Sequence, residues 1–421
     1  MKLQDELTLE LRTFVDGLFT LGSDRINLAV IASDAQLMDD NLYEWTEIMD
    51  GVLSIDIKRG VDTYTGAYAL PVPSVGVMHI VTRNKTLDPN VNIYMVPKTK
   101  VRLRRNDEII FQGRMNNQFV DYRSDRDNPL ISFDVMDPIA DLQMTTTKLS
   151  SITANGSQTW NGRITSLFSN AGKEDMPKTI HGGGKIKHGY WEDDRTLWEA
   201  LVLASNTEGG FLFYDKDGTL QCYASETIPT GATLMEFNNE DPTKYGYKNI
   251  ALDYNIQSTI NEVQGQNTYG YYKREFQEDA DAGIGGFVTT EAIDTDTMEP
   301  VRRQALINRY GTNALNVDTN FNLQEDPNFH TEWANSILNK WQKPTPLVKE
   351  IEWDGKKNPS LAASSEILDR IKIHHKTESF TYEETLTTIG VQHTFNADQD
   401  TWRVKSVSYT HLRAHETGRN L

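Results

Sequence analysis

Three histidines are the first residues whose chemistry could matter. His374 and His375 are adjacent in a stretch that alternates like a strand, and His393 follows in another. Three imidazoles could hold zinc, but neighbouring strand residues point to opposite faces, so the adjacent pair cannot easily share an ion. Gly184-Lys185, inside HGGGKIKHG, could end a phosphate loop, yet Ile186 stands where that loop needs Ser or Thr. Asp215, Asp217 and Glu226 fall at the first, third and twelfth positions of a calcium loop; Leu220 occupies the sixth, which requires glycine, so a hairpin turn is expected there. Cys222 is the single cysteine and has no basic neighbour in sequence, which reads as a buried thiol rather than a nucleophile. Neither the nucleophile elbow G-x-S-x-G nor the zinc motif H-E-x-x-H occurs. With 60 acidic residues, composition selects no carboxylate pair for glycosidic cleavage. No catalytic, cofactor-binding or metal-ligating residue is expected.

The formal charge is -18, with pI near 5.0. An acidic chain repels phosphate backbones, so no specific nucleic-acid binding is expected. One cysteine excludes an internal disulfide framework. No stretch approaches the roughly 18 apolar residues of a membrane span, and Met1–Gly17 has no signal-peptide pattern; no membrane insertion is expected.

The elements that would position any site follow from periodicity. Leu3, Leu7, Leu11, Phe14 and Leu18 fall at helical spacing, predicting an amphipathic helix over residues 1–22. The period then changes to two. Ile26–Ala32, Val52–Lys58, Val75–Val81, Val91–Val96 and Leu130–Val135 are expected strands, with a hairpin turning at Asn106-Asp107-Glu108 and a short helix over Asp137–Gln143. Trp160–Ala171 and Arg195–Ser205 predict helices separated by a flexible HGGGKIKHG loop, and FLFYDKDGTLQCYA predicts a hairpin about Asp215–Gly218. Further on, Glu262–Thr268 and Tyr271–Phe276 are expected to pair across a turn at Gly270, with Ala280–Met298 a loop. A helix over about 328–341, presenting Trp333, Ile337, Leu338 and Trp341, precedes strands at Leu347–Trp353, Asp369–His374, Leu386–Phe395 and Trp402–Ser406.

The fold class expected is α+β, mainly β: two antiparallel β-barrel-like domains with an intervening small α+β region. The division is an N-terminal helix at 1–22, a first β domain at 23–147, the α+β region at 148–246, and a second β-rich domain at 247–406. Residues 407–421 stand apart. Val407–Thr417 reads VSYTHLRAHET, the translation of a transposase sequencing adapter; the segment is expected to be adapter-encoded, with the native C-terminus missing.

Four stretches, in order, carry a resemblance. They are VLSIDIKRGVDTYTGAYALPV; TKVRLRRNDEIIFQGRM through the strand ending at Asp134 and the Asp137–Leu142 turn, with Phe111, Gly113 and Arg114; RITSLFSNAG followed by TLWEALVLASNTEGGFLFYDKDGTLQCYA; and NRYG through WQKPTPLVKEIEW to TIGVQHTFNADQDTWRVKS, with Trp402. Together they resemble minor tail proteins of long-tailed bacteriophages, the tail-tip hub type that also forms the N-terminal part of tail-associated lysins. The 1–20 helix has no place in that pattern.

The resemblance implies a non-enzymatic virion protein at the tail tip, assembled in the host bacterial cytoplasm. It would form a homotrimer, a baseplate hub ring joining the tail tube and distal tail protein to downstream receptor-binding or lytic tail proteins. Gly113 and Arg114 would shape a strand and its bulge, and Trp402 would pack a closing hairpin. An acidic ring would also let DNA pass without adhering; a channel wall rich in Lys and Arg would sink that idea. Two alternatives stand beside the hub: a cell-wall-degrading tail enzyme whose catalytic part is cryptic or truncated away, and a host-surface carbohydrate-binding module, which would need exposed aromatics clustered in a groove.

Overall fold

The computed structural model describes residues 6–14, 43–61, 72–122, 128–147, 157–187, 195–229, 233–253, 260–279, 284–297, 300–319, 331, 334–335, 338 and 347–409, with 14, 157–158, 185–187, 253, 266–279, 284–297, 310, 317–319, 347 and 409 described by backbone alone. The Ile26–Ala32 strand, the residues Trp333, Ile337 and Trp341, and residues 410–421 lie outside the described residues. Thr331, Ala334, Asn335 and Leu338 are helical, and Ala334 and Leu338 are buried.

The first described element is a strand where a helix over 1–22 is expected. β1 (Leu7–Phe14) lies between β2 (Tyr43–Glu47) and β5 (Lys100–Arg105). Leu7, Leu9 and Leu11 are buried on one face. On the other, the buried Glu10 carboxylate accepts from Arg102 Nε at 2.6 Å and Arg104 Nε at 2.9 Å. The leucines fit both periods; two flanking strands that satisfy the backbone decide for period two. The remainder of the expected helix, 1–5 and 15–22, lies outside the described residues.

β3 (Val52–Gly60), β4 (Ser74–Thr82), β6 (Glu108–Asp121) and β7 (Leu130–Met136) complete an N-terminal run, in the order β3-β4-β7-β6-β5-β1-β2. The β5–β6 hairpin turns at Asn106-Asp107, with Arg105 opposite Glu108. Val91–Val96 is not a strand. Asp88 and Asn92 side chains accept from the backbone of Asn90 and Tyr94, both at 2.9 Å, and such local turns outcompete a ladder.

Next comes the α+β unit: α1 (Ile139–Met144), β8 (Thr146–Thr147), β9 (Ser157–Thr159), α2 (Trp160–Asn170), β10 (Lys178–His181), β11 (Lys185–Lys187), β12 (Arg195–Thr196), α3 (Leu197–Glu208), β13 (Phe211–Tyr214) and β14 (Leu220–Tyr223). Thr196 and Glu199 form a reciprocal capping box at the start of α3, worth about 1 kcal/mol. α1, α2, α3 and the β13–β14 hairpin enclose their own core around Trp160, Leu167, Trp198, Leu201 and Cys222. Within the expected HGGGKIKHG loop, His181 ends β10 and three of the nine residues, Lys185–Lys187, form β11, which pairs with β9.

The last part supplies β15 (Met235–Asn238), β16 (Asn249–Asp253), β17 (Glu262–Asp279), β18 (Ile284–Thr297), β19 (Val301–Arg302), α4 (Gln304–Tyr310), β20 (Ala314–Thr319), β21 (Leu347–Asp354), α5 (Pro359–Ser364), β22 (Arg370–Lys376), β23 (Thr381–Asn396) and β24 (Thr401–Tyr409). Two expectations change here. Gly270 is not in a turn but sits mid-strand in β17, opposite Ile293, and the expected Ala280–Met298 loop contains β18. Acidic and glycine residues suggested a loop, but Phe287, Val288, Thr289, Thr290 and Ile293 carry strong strand propensity.

The strands do not form two separate barrels. β16-β21-β24-β23 continues directly into β3-β4-β7-β6-β5-β1-β2, giving one 13-stranded sheet that also includes β15 and β22. Its path is open at β16 and β2, so no closed barrel occurs among the described strands. One hydrophobic core, including Ile55, Met78, Phe133, Ile351, Trp353 and Val391, spans both runs.

The seam between the runs is the β3–β23 pairing, where Gly60 lies opposite Gly390. Gly60 has φ +77°, and a Cβ on Gly390 would lie 2.1 Å from the Val61 carbonyl oxygen. A methyl group there must push backbone apart. Gly390→Ala is expected to cost about 1–3 kcal/mol, read as a lower urea midpoint at unchanged m-value. An unchanged midpoint would mean that the seam is not under this constraint.

Candidate functional site

Arg59 is the residue from which the central polar site is built. It lies near the end of β3, beside the seam, and is only 4% exposed. Its Nη1 donates to Glu366 Oε1 at 2.7 Å, and its Nη2 donates to the Ser365 carbonyl at 3.3 Å. Glu366 Oε2 accepts the backbone N–H of Lys216, in the β13–β14 turn, at 3.0 Å. Lys216 Nζ donates to Glu108 Oε1, on β6, at 2.7 Å. Four distant segments therefore meet in one charge network: β3, the β5–β6 hairpin, the β13–β14 turn and the stretch after α5.

A cleft of about 530 Å³ opens beside this network, lined by Phe213, Gln221 and Tyr223 on the hairpin and by Glu366, Leu368 and Asp369 across from it. Gln221, Asp215 and Asp369 in its lining already have partners. Gln221 contacts His181 Nε2 at 3.0 Å and donates to Asp215 Oδ2 at 2.7 Å. Asp215 Oδ1 accepts from the backbone of Asp217 and Thr219. The Tyr223 ring stacks on His181 at 3.9 Å, and Phe213 is 3% exposed. Burial pushes the Asp369 carboxyl up to about 6, and its Oδ2 accepts the Glu366 backbone N–H. Such an arrangement joins segments; its aromatic faces and carboxylates are largely spent within the protein.

The other sequence candidates lie apart. His374 faces Glu240 and Glu383 at 3.4 and 3.7 Å, while His375 Nδ1 meets the Tyr247 hydroxyl. His393 is buried elsewhere, accepting from Trp402 Nε1 at 3.3 Å. The three imidazoles are not brought together, and no metal-binding cluster of His, Cys, Asp or Glu occurs among the described residues. The Gly182–Gly184 segment is clasped by carboxylates: Gly183 N–H donates to Glu226 Oε1 at 3.3 Å and Gly184 N–H to Glu208. Burial and the neighbouring Glu226 push Glu208 up to about 7. These amides are thus not presented to a phosphate. Cys222 is fully buried, and burial pushes its thiol well above the usual range.

The motif residues have structural partners. Arg114 pairs with Asp141 of α1 at 3.0 Å, Asp134 with His79 at 2.6 Å, and Gly113 pairs with Val101 in the β5–β6 ladder. Asp137 accepts from the backbone of Gly76 at 2.8 Å and Ile139 at 3.0 Å, tying β4 to α1; burial pushes it up to about 7, against those bonds and Arg59. Trp402 is buried against Phe395, ring centroids 4.9 Å apart, and closes the β23–β24 hairpin. Trp160, Trp198 and Trp353 are also core residues. Arg59 and Glu366 carry no local signal: 307 positions separate them, and only an alignment of covarying positions could have paired them in advance.

No protein-family pattern matches the sequence, and no curated protein sequence matches it. Solved structures do. The tail protein from Neisseria meningitidis MC58 superposes with a TM-score of 0.55 at 10% identity, covering 88% of this chain and 95% of that one. The 43 kDa tail protein of prophage MuSo2 from Shewanella oneidensis gives 0.53 at 12% identity, covering 97% and 98%. The chain has the fold of these tail proteins. At this identity the likeness is one of fold, and it extends across the α+β unit as well as the large sheet. No helix among the described residues is long and apolar enough to cross a membrane.

Proposed function

We propose that this chain is a structural component of a bacteriophage tail tip, a hub that assembles as a trimeric ring. In this reading the two strand runs of the large sheet, close to the 23–147 and 247–406 divisions, act as its two halves, with the 148–246 region set against them. The ring joins the tail tube and distal tail protein to receptor-binding or lytic components, in the virion, after assembly in the host cytoplasm. The observation that carries it is the end-to-end correspondence with tail-protein folds, at 95% and 98% of those chains. The Arg59 network supports it physically, because a load-transmitting part gains from segments joined by buried charge pairs rather than by mobile loops.

Sedimentation equilibrium over rising protein concentration tests this, with negative-stain averages of the heaviest species. A mass of three chains and a three-fold ring are expected. A chain that stays monomeric at its solubility limit, or one that releases muropeptides from peptidoglycan, would overturn the hub reading.

A further inference from the structure

The connection between β4 and β5 exposes aliphatic side chains on a rigid frame. Val91, Ile93 and Val96 are 72%, 59% and 48% exposed, whereas Leu87 and Met95 of the same loop are buried in the main core. The loop thus has an inner side that anchors it and an outer side that is apolar. Successive tight turns set its shape: Val91 N–H donates to the Asp88 carbonyl at 2.9 Å, and Met95 N–H to the Asn92 carbonyl at 3.1 Å. Tyr122 fastens one end, donating to Asp88 Oδ2 at 2.6 Å and accepting from Asn90 Nδ2 at 2.8 Å. Lys98 N–H fastens the other, donating to the Met115 carbonyl at 2.7 Å. Exposed valine and isoleucine on a frame already ordered lose little entropy on binding, and a group of them marks a contact site.

The charge around this loop runs against that of the chain, which has 42 basic and 60 acidic residues. Between positions 83 and 100 there are four basic residues, Arg83, Lys85, Lys98 and Lys100, and one acidic residue, Asp88. Asp88 is buried and bonded to Tyr122. Asp50, exposed beside Gly51 where the Arg83 N–H is held, and Asp121 of β6 leave the local sign positive. Arg83, Lys85 and Lys98 are exposed and have no ion-pair partner among the described residues. Both roots of the loop are therefore basic, Tyr94 packs half-buried against the core beneath it, and its outer side is aliphatic.

We infer that the 83–100 loop docks on an anionic bilayer surface. Val91, Ile93 and Val96 enter the boundary between headgroups and acyl chains, and Arg83, Lys85 and Lys98 meet lipid phosphates. This is contact at the interface, not a span. The composition favours lipid over a protein partner. Protein contacts draw their energy from Trp, Tyr and Arg rather than Val, whereas a bilayer takes aliphatic side chains, with basic residues and tyrosines at headgroup level. Such docking does not require the ring. A three-fold ring would hold three loops at one level and multiply the binding.

Flotation of the full chain with vesicles of phosphatidylcholine containing about 30% phosphatidylglycerol tests this. The chain is expected to float with them, and to bind pure phosphatidylcholine about tenfold less or weaker still. Val91→Ser with Ile93→Ser, and separately Lys85→Glu with Lys98→Glu, are each expected to weaken binding by roughly tenfold or more. All four side chains are exposed, so the melting transition should not move. Insertion is read from an environment-sensitive dye on Ile93→Cys; the native Cys222 is buried and does not take it. The dye emission should shift to the blue with the anionic vesicles. The same dye on Asp107→Cys, beyond the far end of β5, should stay unshifted. Absence of flotation, flotation that survives both double substitutions, or an unshifted dye on Ile93→Cys overturns the docking. So does a shift that grows with protein concentration without vesicles, which would make a second copy the occupant. A chain that floats but never trimerises overturns the ring alone.

Discussion

Replacing Arg59 with alanine is expected to destabilise the fold by about 3–5 kcal/mol, the range for breaking a buried ion pair from one side. The guanidinium is almost wholly enclosed and Glu366 only about a fifth exposed, at 2% and 21% of their side-chain surfaces. Alanine leaves the Glu366 carboxylate with the backbone N–H groups of Lys216 and Ile367 but no countercharge. The damage reaches beyond the pair, because Arg59 also holds down the Asp137 and Asp369 carboxyls by charge. The measurement is urea unfolding of Arg59→Ala, Glu366→Gln and the double variant. A coupling energy near zero would show that each residue acts alone. Arg59→Met with Glu366→Met is expected to recover most of the loss, since apolar replacement of both partners removes the orphaned charge.

The second large effect is acid destabilisation through His393. Burial, and then the charges of Arg59 and Lys216, lower its pKa to about 3, against about 6.5 in an unfolded chain. The native histidine is therefore neutral where the unfolded one is charged. Its stabilisation is complete above pH 6.5 and is lost as pH falls towards 3, by about 1.4 kcal/mol per pH unit and about 4–5 kcal/mol in all. Asp137, Asp369 and Glu208 act in the opposite sense. Their pKa values are raised to about 7, 6 and 7, so their contribution is present below the unfolded carboxylate value near 4 and lost as pH rises through 6–7. The whole-chain profile mixes these, and the informative quantity is the difference from His393→Phe. That variant keeps a ring beside Phe395 but removes the acceptor for Trp402, so it should be less stable at pH 7 by about 1–3 kcal/mol. Its relative stability should improve steadily as pH drops, until the curves cross. Parallel curves from pH 7 to 4 would contradict a neutral buried imidazole.

Much of the local structure was legible from pattern. Val52–Gly60 and Leu130–Met136 alternate, Thr196-x-x-Glu199 announces its helix, and DKDG announces its turn; each is decided by neighbours within a few residues. Leu7–Phe14 shows the limit, because Leu7 and Leu11 suit a helix while Leu7, Leu9 and Leu11 suit a strand. The strands on either side decided between them. Val91–Val96 failed for the opposite reason, since side-chain acceptors at Asp88 and Asn92 turned a β-rich run into a rigid loop.

The absence of a recognisable catalytic motif, the acidic charge and the mainly β character with an α+β insert were properties of the sequence alone, because composition and short-range periodicity determine them. The joining of the strand runs into one sheet, the Gly60–Gly390 seam, the Arg59–Glu366 pair and the neutral His393 belong to tertiary structure. Each depends on groups far apart in the chain being desolvated together, or left in water together, and burial is a property of the folded whole.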